Sequence, residues 1–206
     1  MSRYKLFTLV FVLFTVLDQV TKIWVVNNIR GPRIVNGVDL LEKFNIEGTA
    51  WREMPPSIEV IPGLFSIVHT QNAGAAFGIM QGQMYVFALF TIIAIAVIVW
   101  TLVQLPDEDW FQNSALSLLA SGTVGNGIDR FHKQSVTDFL HVYSENPSIE
   151  PLLINVLGSN AWPSFNVADA AIVIGMIMFG IHYVFLEQDE EAEPDPPKDA
   201  ISDISG

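Results

Sequence analysis

The sequence predicts an all-α membrane protein of four transmembrane helices, with a small β element between the first two. Half of the 206 residues are hydrophobic and the mean hydropathy is +0.39, which is too apolar for an ordinary soluble domain of this length. Four long apolar runs divide the chain. The net charge of −12 comes largely from residues 187–206, which hold eight acidic residues and one lysine.

The first apolar run, residues 6–26, follows Arg3 and Lys5, which is also the arrangement of a secretory signal peptide. No cleavage site of small residues follows it, and the helical pattern continues past Asp18. We therefore interpret this run as the first membrane span.

The other three spans are predicted at residues 84–105, 112–130 and 165–186. The second has no charged residue and is long enough to cross ~30 Å of hydrocarbon. The third is rich in glycine, alanine and serine, which let helices approach closely in lipid, so we expect it to be buried among the other helices.

Four spans place both termini on one side of the membrane and the loops 27–83 and 131–164 on the other. Arg3 and Lys5 favour a cytoplasmic N-terminus, whereas the basic residues of the opposite loops oppose it. The position of the polar site described below leads us to expect both termini in the cytoplasm. The tail 188–206 combines charge with proline and is predicted to be disordered.

The loops have mixed character. Residues 31–56 look irregular, with at most a short helix near 40–44, whereas 57–72 read as two short strands around Pro62-Gly63. The chain has no cysteine, which excludes disulfides, a thiol nucleophile and cysteine-based metal sites. It also has no basic patch of the kind that binds nucleic acid.

Polar residues inside or beside the spans are the candidate functional residues. Asp18 and Lys22 are four apart, so they can pair on one helix face, either as an interfacial pair that ends a span or as a clamp inside the bundle. Asn126, Asp129 and Arg130 also share one face. An Asp129–Arg130 pair at a helix end accounts for the last two but not for Asn126.

Two further carboxylates lie at span ends on the same side as Asp129. Asp138 follows the third span, and Asp169 lies in the first turn of the fourth, three residues after Asn166. Asn166 is suited to cap the helix, and the helix dipole would stabilise the negative charge of Asp169. A purely structural role explains Asp169 less well, because it already lies within the span.

Paired carboxylates favour one chemistry. Like charges a few ångströms apart cannot both ionise easily, so such a pair shares a proton. The ionised member can activate water while the protonated member polarises a peptide carbonyl, which is the scheme of aspartic proteases and needs neither metal nor cofactor. No metal-binding HExxH or serine GxSxG motif is present. The alternative is a small transporter or proton channel with carboxylates along its pathway.

Five segments in this order, DQVTK, NAGAAFG, GNGIDR, VTDF and FNVAD, resemble lipoprotein signal peptidase (signal peptidase II) over residues 1–187. The resemblance implies four transmembrane helices with a small extracytoplasmic β-cradle. It also implies an aspartic endopeptidase of the bacterial cytoplasmic (inner) membrane, active near the outer leaflet. Such an enzyme removes the signal peptide of prolipoproteins before a cysteine that carries diacylglycerol. We expect a monomer whose partners are these substrates and membrane lipid.

The resemblance also implies the roles of individual residues. Asp138 and Asp169 match the catalytic pair. The residues expected to bind substrate or support the site are Asn72, Gly74, Asn126, Asp129, Arg130, Asn166, Asp18 and Lys22. The chain departs from the family pattern in the segment 31–56, in the long interval between Asp138 and Asp169, and in the acidic tail.

Overall fold

The computed structural model describes residues 2–35, 37–74, 83–106 and 109–186. The predicted disordered tail 188–206 and most of the NAGAAFG segment lie outside the described residues. In chain order the described elements are α1 (Arg3–Asn28), β1 (Ile34–Val35), β2 (Val38–Asp39), α2 (Leu40–Lys43), α3 (Gly48–Glu53), β3 (Ser57–Ile61), β4 (Phe65–Asn72), α4 (Met84–Gln104), α5 (Trp110–Lys133), β5 (Val136–Val142), α6 (Glu150–Leu157), α7 (Val167–Ile181) and a final π-helical turn (His182–Leu186).

Three of the described helices are long and apolar enough to cross a membrane: Arg3–Asn28, Tyr85–Gln104 and Val167–Val184. They correspond to the first, second and fourth predicted spans. The third predicted span corresponds to α5, which has 24 residues but carries many small and polar side chains. The protein is therefore a mainly helical membrane protein with a small β region.

Helix α5 occupies the centre of the helical part and packs against α1, α4 and α7. Glycines make this close packing possible. A Cβ atom on Gly122 would overlap the carbonyl oxygen of Ala168 in α7, and one on Gly125 would lie 2.6 Å from the Asp18 carboxylate of α1. The prediction that small residues mark a buried helix is confirmed.

The larger sheet has the antiparallel strand order β3-β4-β5. The predicted hairpin around Pro62-Gly63 is present as β3 and β4. Strand β5 follows directly after α5 and was not predicted, because only seven residues form it and most are buried on both faces, which removes the alternation of a half-buried strand. Its pairing places Thr70 opposite Asp138 and Asn72 opposite Val136.

The two segments that depart from the family pattern hold structure that the sequence did not predict. Residues 31–56, expected to be irregular apart from a short helix near 40–44, contain the β1–β2 hairpin and α3 as well as the expected helix α2. The long interval before α7 contains α6. Two-residue strands and helices of six to eight residues are too short to show a clear periodicity.

Candidate active site

The structure brings Asp138 and Asp169 to one cavity of about 590 Å³. Asp138 projects from β5 and is 3% exposed. Asp169 is the third residue of α7 and is half-buried. Two elements that start at the same end of the helical bundle thus deliver one carboxylate each to a shared space.

The start of α7 fixes the position of Asp169. The Asn166 side chain accepts a hydrogen bond from the backbone N–H of Asp169 at 2.9 Å, and Asp169 Oδ2 accepts one from the backbone N–H of Asn166 at 3.1 Å. This reciprocal pair is a capping box, which satisfies two N–H groups at the helix start. The expected capping role of Asn166 is therefore present.

Two asparagine side chains connect the carboxylates. Asn166 Nδ2 donates to Asp138 Oδ1 at 2.8 Å and also lies 3.1 Å from Asn126 Oδ1. Asn126 Nδ2 donates to Asp169 Oδ1 at 2.7 Å. Because an amide offers both donors and an acceptor, this chain holds the two carboxylates in a fixed relation without placing a cation between them.

Asn72, at the end of β4, supplies the remaining contact to Asp138. Its Nδ2 atom donates to Asp138 Oδ2 at 3.2 Å, and its Oδ1 atom accepts from the backbone N–H of Gly74 at 3.0 Å. Each oxygen of Asp138 therefore has one amide donor. A carboxylate oxygen has a second lone pair, so both retain capacity to bond water or a ligand in the cavity.

The surroundings of Asp138 favour its protonated form. Burial, which disfavours a charged carboxylate, and then the nearby charge of Asp169 raise the pKa of Asp138 from 3.8 to about 7. The hydrogen bonds from Asn166 and Asn72 act in the opposite direction and are outweighed. At neutral pH this carboxyl group is thus poised between its two protonation states.

Apolar side chains and one cation complete the cavity wall. Trp162, Phe165, Val173 and Ile174 form an apolar side. Arg130 also lines the cavity, donates to the carbonyl oxygen of Gly74 at 3.2 Å and lies over the Phe87 ring at 4.6 Å. A mainly apolar pocket with a few convergent polar groups is typical of a ligand site.

A buried ionic network supports the cavity from inside the bundle. Lys22 Nζ lies 2.8 Å from Asp18, 3.4 Å from Asp129 and 3.0 Å from Asn126 Oδ1. Asp18 accepts from the backbone N–H of Ala168 at 2.9 Å. Since Asp18, Lys22 and Asp129 are all 0% exposed, the Asp18–Lys22 pair is a clamp inside the bundle and not an interfacial pair.

Asp129 does not pair with Arg130, contrary to the pairing considered for the helix end. Its Oδ1 atom lies 2.9 Å from Lys133 Nζ, and its Oδ2 atom accepts from the backbone N–H of Thr137 at 2.9 Å. The reason is helical geometry, because neighbouring residues point in different directions while Asp129 and Lys133, four apart, share a face.

Every residue predicted for the site lies in or beside the cavity. Asn72, Arg130, Asp138 and Asp169 line it, Gly74, Asn126 and Asn166 bond to those residues, and Asp18, Lys22 and Asp129 form the network behind them. Sequence reasoning missed Lys133 and Thr137. The spacing of Asp129 and Lys133 was a usable signal for the first. No local sequence pattern indicated that Trp162 lines the cavity, because several of the other lining residues are distant from it in the sequence.

The fold and the site define a helical membrane protein with two linked carboxylates in a cavity at the end of its helices. The comparisons with known proteins agree on one family. The family model described as "Signal peptidase (SPase) II" matches residues 10–185. The chain therefore belongs to the signal peptidase II family.

Individual relatives and structures are similar over most of the chain. A lipoprotein signal peptidase of Geobacter metallireducens is 33% identical over 185 residues, covering 88% of this chain and 92% of that protein. One of Maridesulfovibrio salexigens is 36% identical over 180 residues, covering 85% and 92%. A solved bacterial membrane enzyme is 27% identical with a TM-score of 0.65, covering 93% of this chain and 94% of that one.

Proposed function

We propose that this protein is an aspartic endopeptidase that removes signal peptides from bacterial prolipoproteins, with Asp138 and Asp169 as its catalytic pair. Membership of the signal peptidase II family supports the peptidase activity. The lipoprotein signal peptidases among its relatives support the substrate class. The observation that carries the aspartic mechanism is the placement of the two carboxylates on one cavity, linked through Asn126 and Asn166.

The proposed mechanism assigns the two carboxylates different first roles. Asp138, whose pKa is raised to about 7, carries the proton and donates a hydrogen bond to the scissile carbonyl oxygen. Asp169 takes a proton from a water molecule whose oxygen attacks the carbonyl carbon. When the C–N bond breaks, one carboxyl proton passes to the leaving amine, and the pair again holds a single proton.

The asparagines keep this geometry rigid. Catalysis of this kind depends on reacting groups that are held in position before the substrate arrives. Asn166 bonds to Asp138 and caps the helix that carries Asp169, so one residue determines the position of both carboxylates. Asn126 adds the bond to Asp169 and is itself held by Lys22.

The apolar wall fits a substrate that stays in the membrane. We propose that Trp162, Phe165, Val173 and Ile174 contact the apolar signal sequence or the diacylglyceryl chains of the substrate, with cleavage before the lipid-bearing cysteine. A signal sequence is a helix in lipid, and its scissile bond lies where that helix ends. A site at the ends of the spans meets such a bond and still reaches water.

The same proposal includes a topology. Helix α5 serves as a fourth span, because it lies among α1, α4 and α7 and has a spanning length. The sheet and the cavity then lie at the outer leaflet of the inner membrane. Both termini, including the tail 188–206, lie in the cytoplasm, and residues 1–187 form the peptidase domain.

The deciding experiment is cleavage of a diacylglyceryl-modified prolipoprotein by purified protein and by the variants Asp138→Asn and Asp169→Asn. Each variant keeps the shape of the side chain but removes its titrating proton, and we expect a loss of ~10²–10⁴ in rate. Because the two roles are coupled, the double variant should be little slower than either single one.

The matched control is Asp39→Asn, an aspartate on the β1–β2 hairpin that does not line the cavity, and this variant should cleave normally. Thermal unfolding of all variants in parallel separates a catalytic loss from a folding loss. Near-normal turnover by either cavity variant would remove that residue from the proposed pair. An uncleaved precursor with the parent protein would favour the transporter alternative.

A further inference from the structure

Helix α6 displays apolar side chains that the described chain leaves uncovered. Six of its eight residues, EPLLINVL, are apolar, and none of the eight is buried. Leu152 is 62% exposed and Val156 is 69% exposed. A helix that is apolar on nearly every side is stable in a protein core or in lipid, and exposure to water would oppose its folding. The described core does not contain it, so another apolar medium has to surround it.

The two sides of α6 face different surroundings. Ile149, Leu153 and Leu157 are spaced by four, which places them on one face, and they line an apolar groove of about 460 Å³ against the end of β5. Leu152 and Val156 are also four apart and form an adjacent strip, here called the outer strip. No described residue buries the outer strip.

The outer strip continues an apolar surface that begins on the spanning helix α7. Trp162 and Phe165 line both the groove beneath α6 and the cavity of the two carboxylates. The cavity also reaches Val173 and Ile174 of the spanning helix α7, which are 54% and 47% exposed. An apolar surface thus extends from α7 through Trp162 to α6. Tryptophan is favoured at the boundary between membrane and water.

The charged residues around α6 restrict the kind of membrane surface that the helix can contact. Residues 140–165 contain no lysine or arginine, and their charged side chains are Glu145 and Glu150. Attraction to anionic headgroups needs basic residues, so it cannot hold this segment on a membrane. The remaining attraction is contact between the apolar side chains of α6 and the acyl chains just beneath the headgroups.

We propose that α6 is an interfacial membrane helix whose outer strip lies at the boundary of headgroups and acyl chains, in the leaflet beside the cavity. In this position α6 forms one wall of the groove, which shares Trp162 and Phe165 with the cavity, at the level of the lipid headgroups. The proposal concerns membrane contact alone and does not depend on the peptidase activity.

The absence of cysteine from the chain makes the test clean, because each variant then carries a single thiol. The full chain with Val156→Cys is labelled with an environment-sensitive fluorophore and placed in two sets of vesicles, whose lipids carry a nitroxide quencher either near the headgroup or deep in the acyl chain. Ile92→Cys, on the lipid-facing side of α4 and 66% exposed, is the positive reference. Asn155→Cys, one position away on the polar side of α6, is the matched control.

We expect the label at Val156 to be quenched at least twofold more than the label at Asn155. The headgroup quencher should act more strongly on the label at Val156 than the deep quencher does, whereas the label at Ile92 should not show this preference. Raising the salt concentration should leave the quenching unchanged. Equal quenching at Val156 and Asn155, or salt-sensitive quenching, would overturn the proposal. Repetition in nanodiscs with a single copy distinguishes lipid from a second copy of the chain, since quenching that disappears there also overturns it.

Discussion

At the scale of single residues, Asp138 and Asp169 have the same side chain but different surroundings in the cavity. Asp138 is almost completely buried in a strand, whereas Asp169 is half-buried at a helix start, although each oxygen of both carboxylates receives one hydrogen-bond donor. Such unequal environments are what separates an acid role from a base role in a carboxylate pair. The assignment of Asp138 as the proton donor follows from this difference.

This assignment predicts how cleavage depends on pH. Burial and the charge of Asp169 raise the pKa of Asp138 to about 7, so its carboxyl group holds the proton below that pH and loses it above. The proposed mechanism needs this proton, so the cleavage rate should fall as the pH rises through about 7. Rates measured on both sides of this value, with Asp39→Asn as the control, test the prediction. A rate that increases across this range would contradict the assigned role.

A second prediction concerns Asp129, which is fully buried between two lysines. Asp129→Asn leaves the charges of Lys22 and Lys133 without that partner, and breaking a buried pair in this way costs ~3–5 kcal/mol. We expect a clear fall in the thermal midpoint. Asp39→Asn, which removes a surface pair with Arg33, should leave the thermal midpoint nearly unchanged. Equal effects of the two changes would show that the buried network adds little stability.

At the scale of elements, the contact between α5 and α7 positions the site, because these helices carry Asn126 and Asp169. Their backbones approach closely at Gly122, where a Cβ would overlap the Ala168 carbonyl oxygen, and at Gly175, where it would lie 2.8 Å from the Ala115 carbonyl oxygen. Backbone atoms cannot move aside as flexible side chains can. An added methyl group therefore has to separate the helices.

Gly122→Ala should accordingly lower the unfolding free energy by ~1–3 kcal/mol, the usual cost of an overpacked core. It should also reduce cleavage, because Ala168 lies next to Asp169. The matched control is Gly180→Ala in α7, where a new Cβ meets nothing within 4 Å and replacement of a helical glycine is neutral or slightly favourable. Thermal unfolding and cleavage assays check both. Unchanged behaviour of Gly122→Ala would mean that the helices can separate without cost.

The elements also show what the sequence was able to predict. The spanning helices and the β3–β4 hairpin were predicted because long apolar runs and a Pro-Gly turn are local signals. Strand β5 and helix α6 were not predicted. Strand β5 depends on pairing with β4, which is distant in the sequence, and α6 is too short to show a clear periodicity. The residues of the site were identified by motif and resemblance. Asn126 and Asn166 were expected to lie near the two aspartates and to donate to them, but the hydrogen bond between the two asparagines was not predicted, because it joins residues 40 apart in the chain.

At the scale of the whole molecule, the proposed topology contradicts a simple count of basic residues in the loops. Part of that charge is engaged within the fold. Lys133 is buried against Asp129, Arg33 pairs with Asp39, and Lys43 donates to the carbonyl oxygen of His132. These contacts occupy the three side chains in the folded protein, while the count of basic residues still favours the opposite orientation.

Single cysteines test the topology directly. With both termini in the cytoplasm, Thr49→Cys in α3 should react with a membrane-impermeant maleimide in intact spheroplasts, while Ser2→Cys should react only after permeabilisation. Both positions are exposed, so access to the reagent depends on the side of the membrane. The reverse labelling pattern would show that the protein has the opposite orientation. Labelling of both cysteines in intact spheroplasts would exclude a topology of four spans.

The capping box at the start of α7 has a consequence for any compound directed at this cavity. Asp169 holds its helix start and also faces the cavity, while Asn166 caps that helix and bonds to Asp138. A substitution that weakened binding of an inhibitor to either carboxylate would at the same time loosen the helix that carries the site. If these residues act as proposed, resistance by changing them would also impair cleavage, whereas changes in the apolar wall would leave the two carboxylates in place.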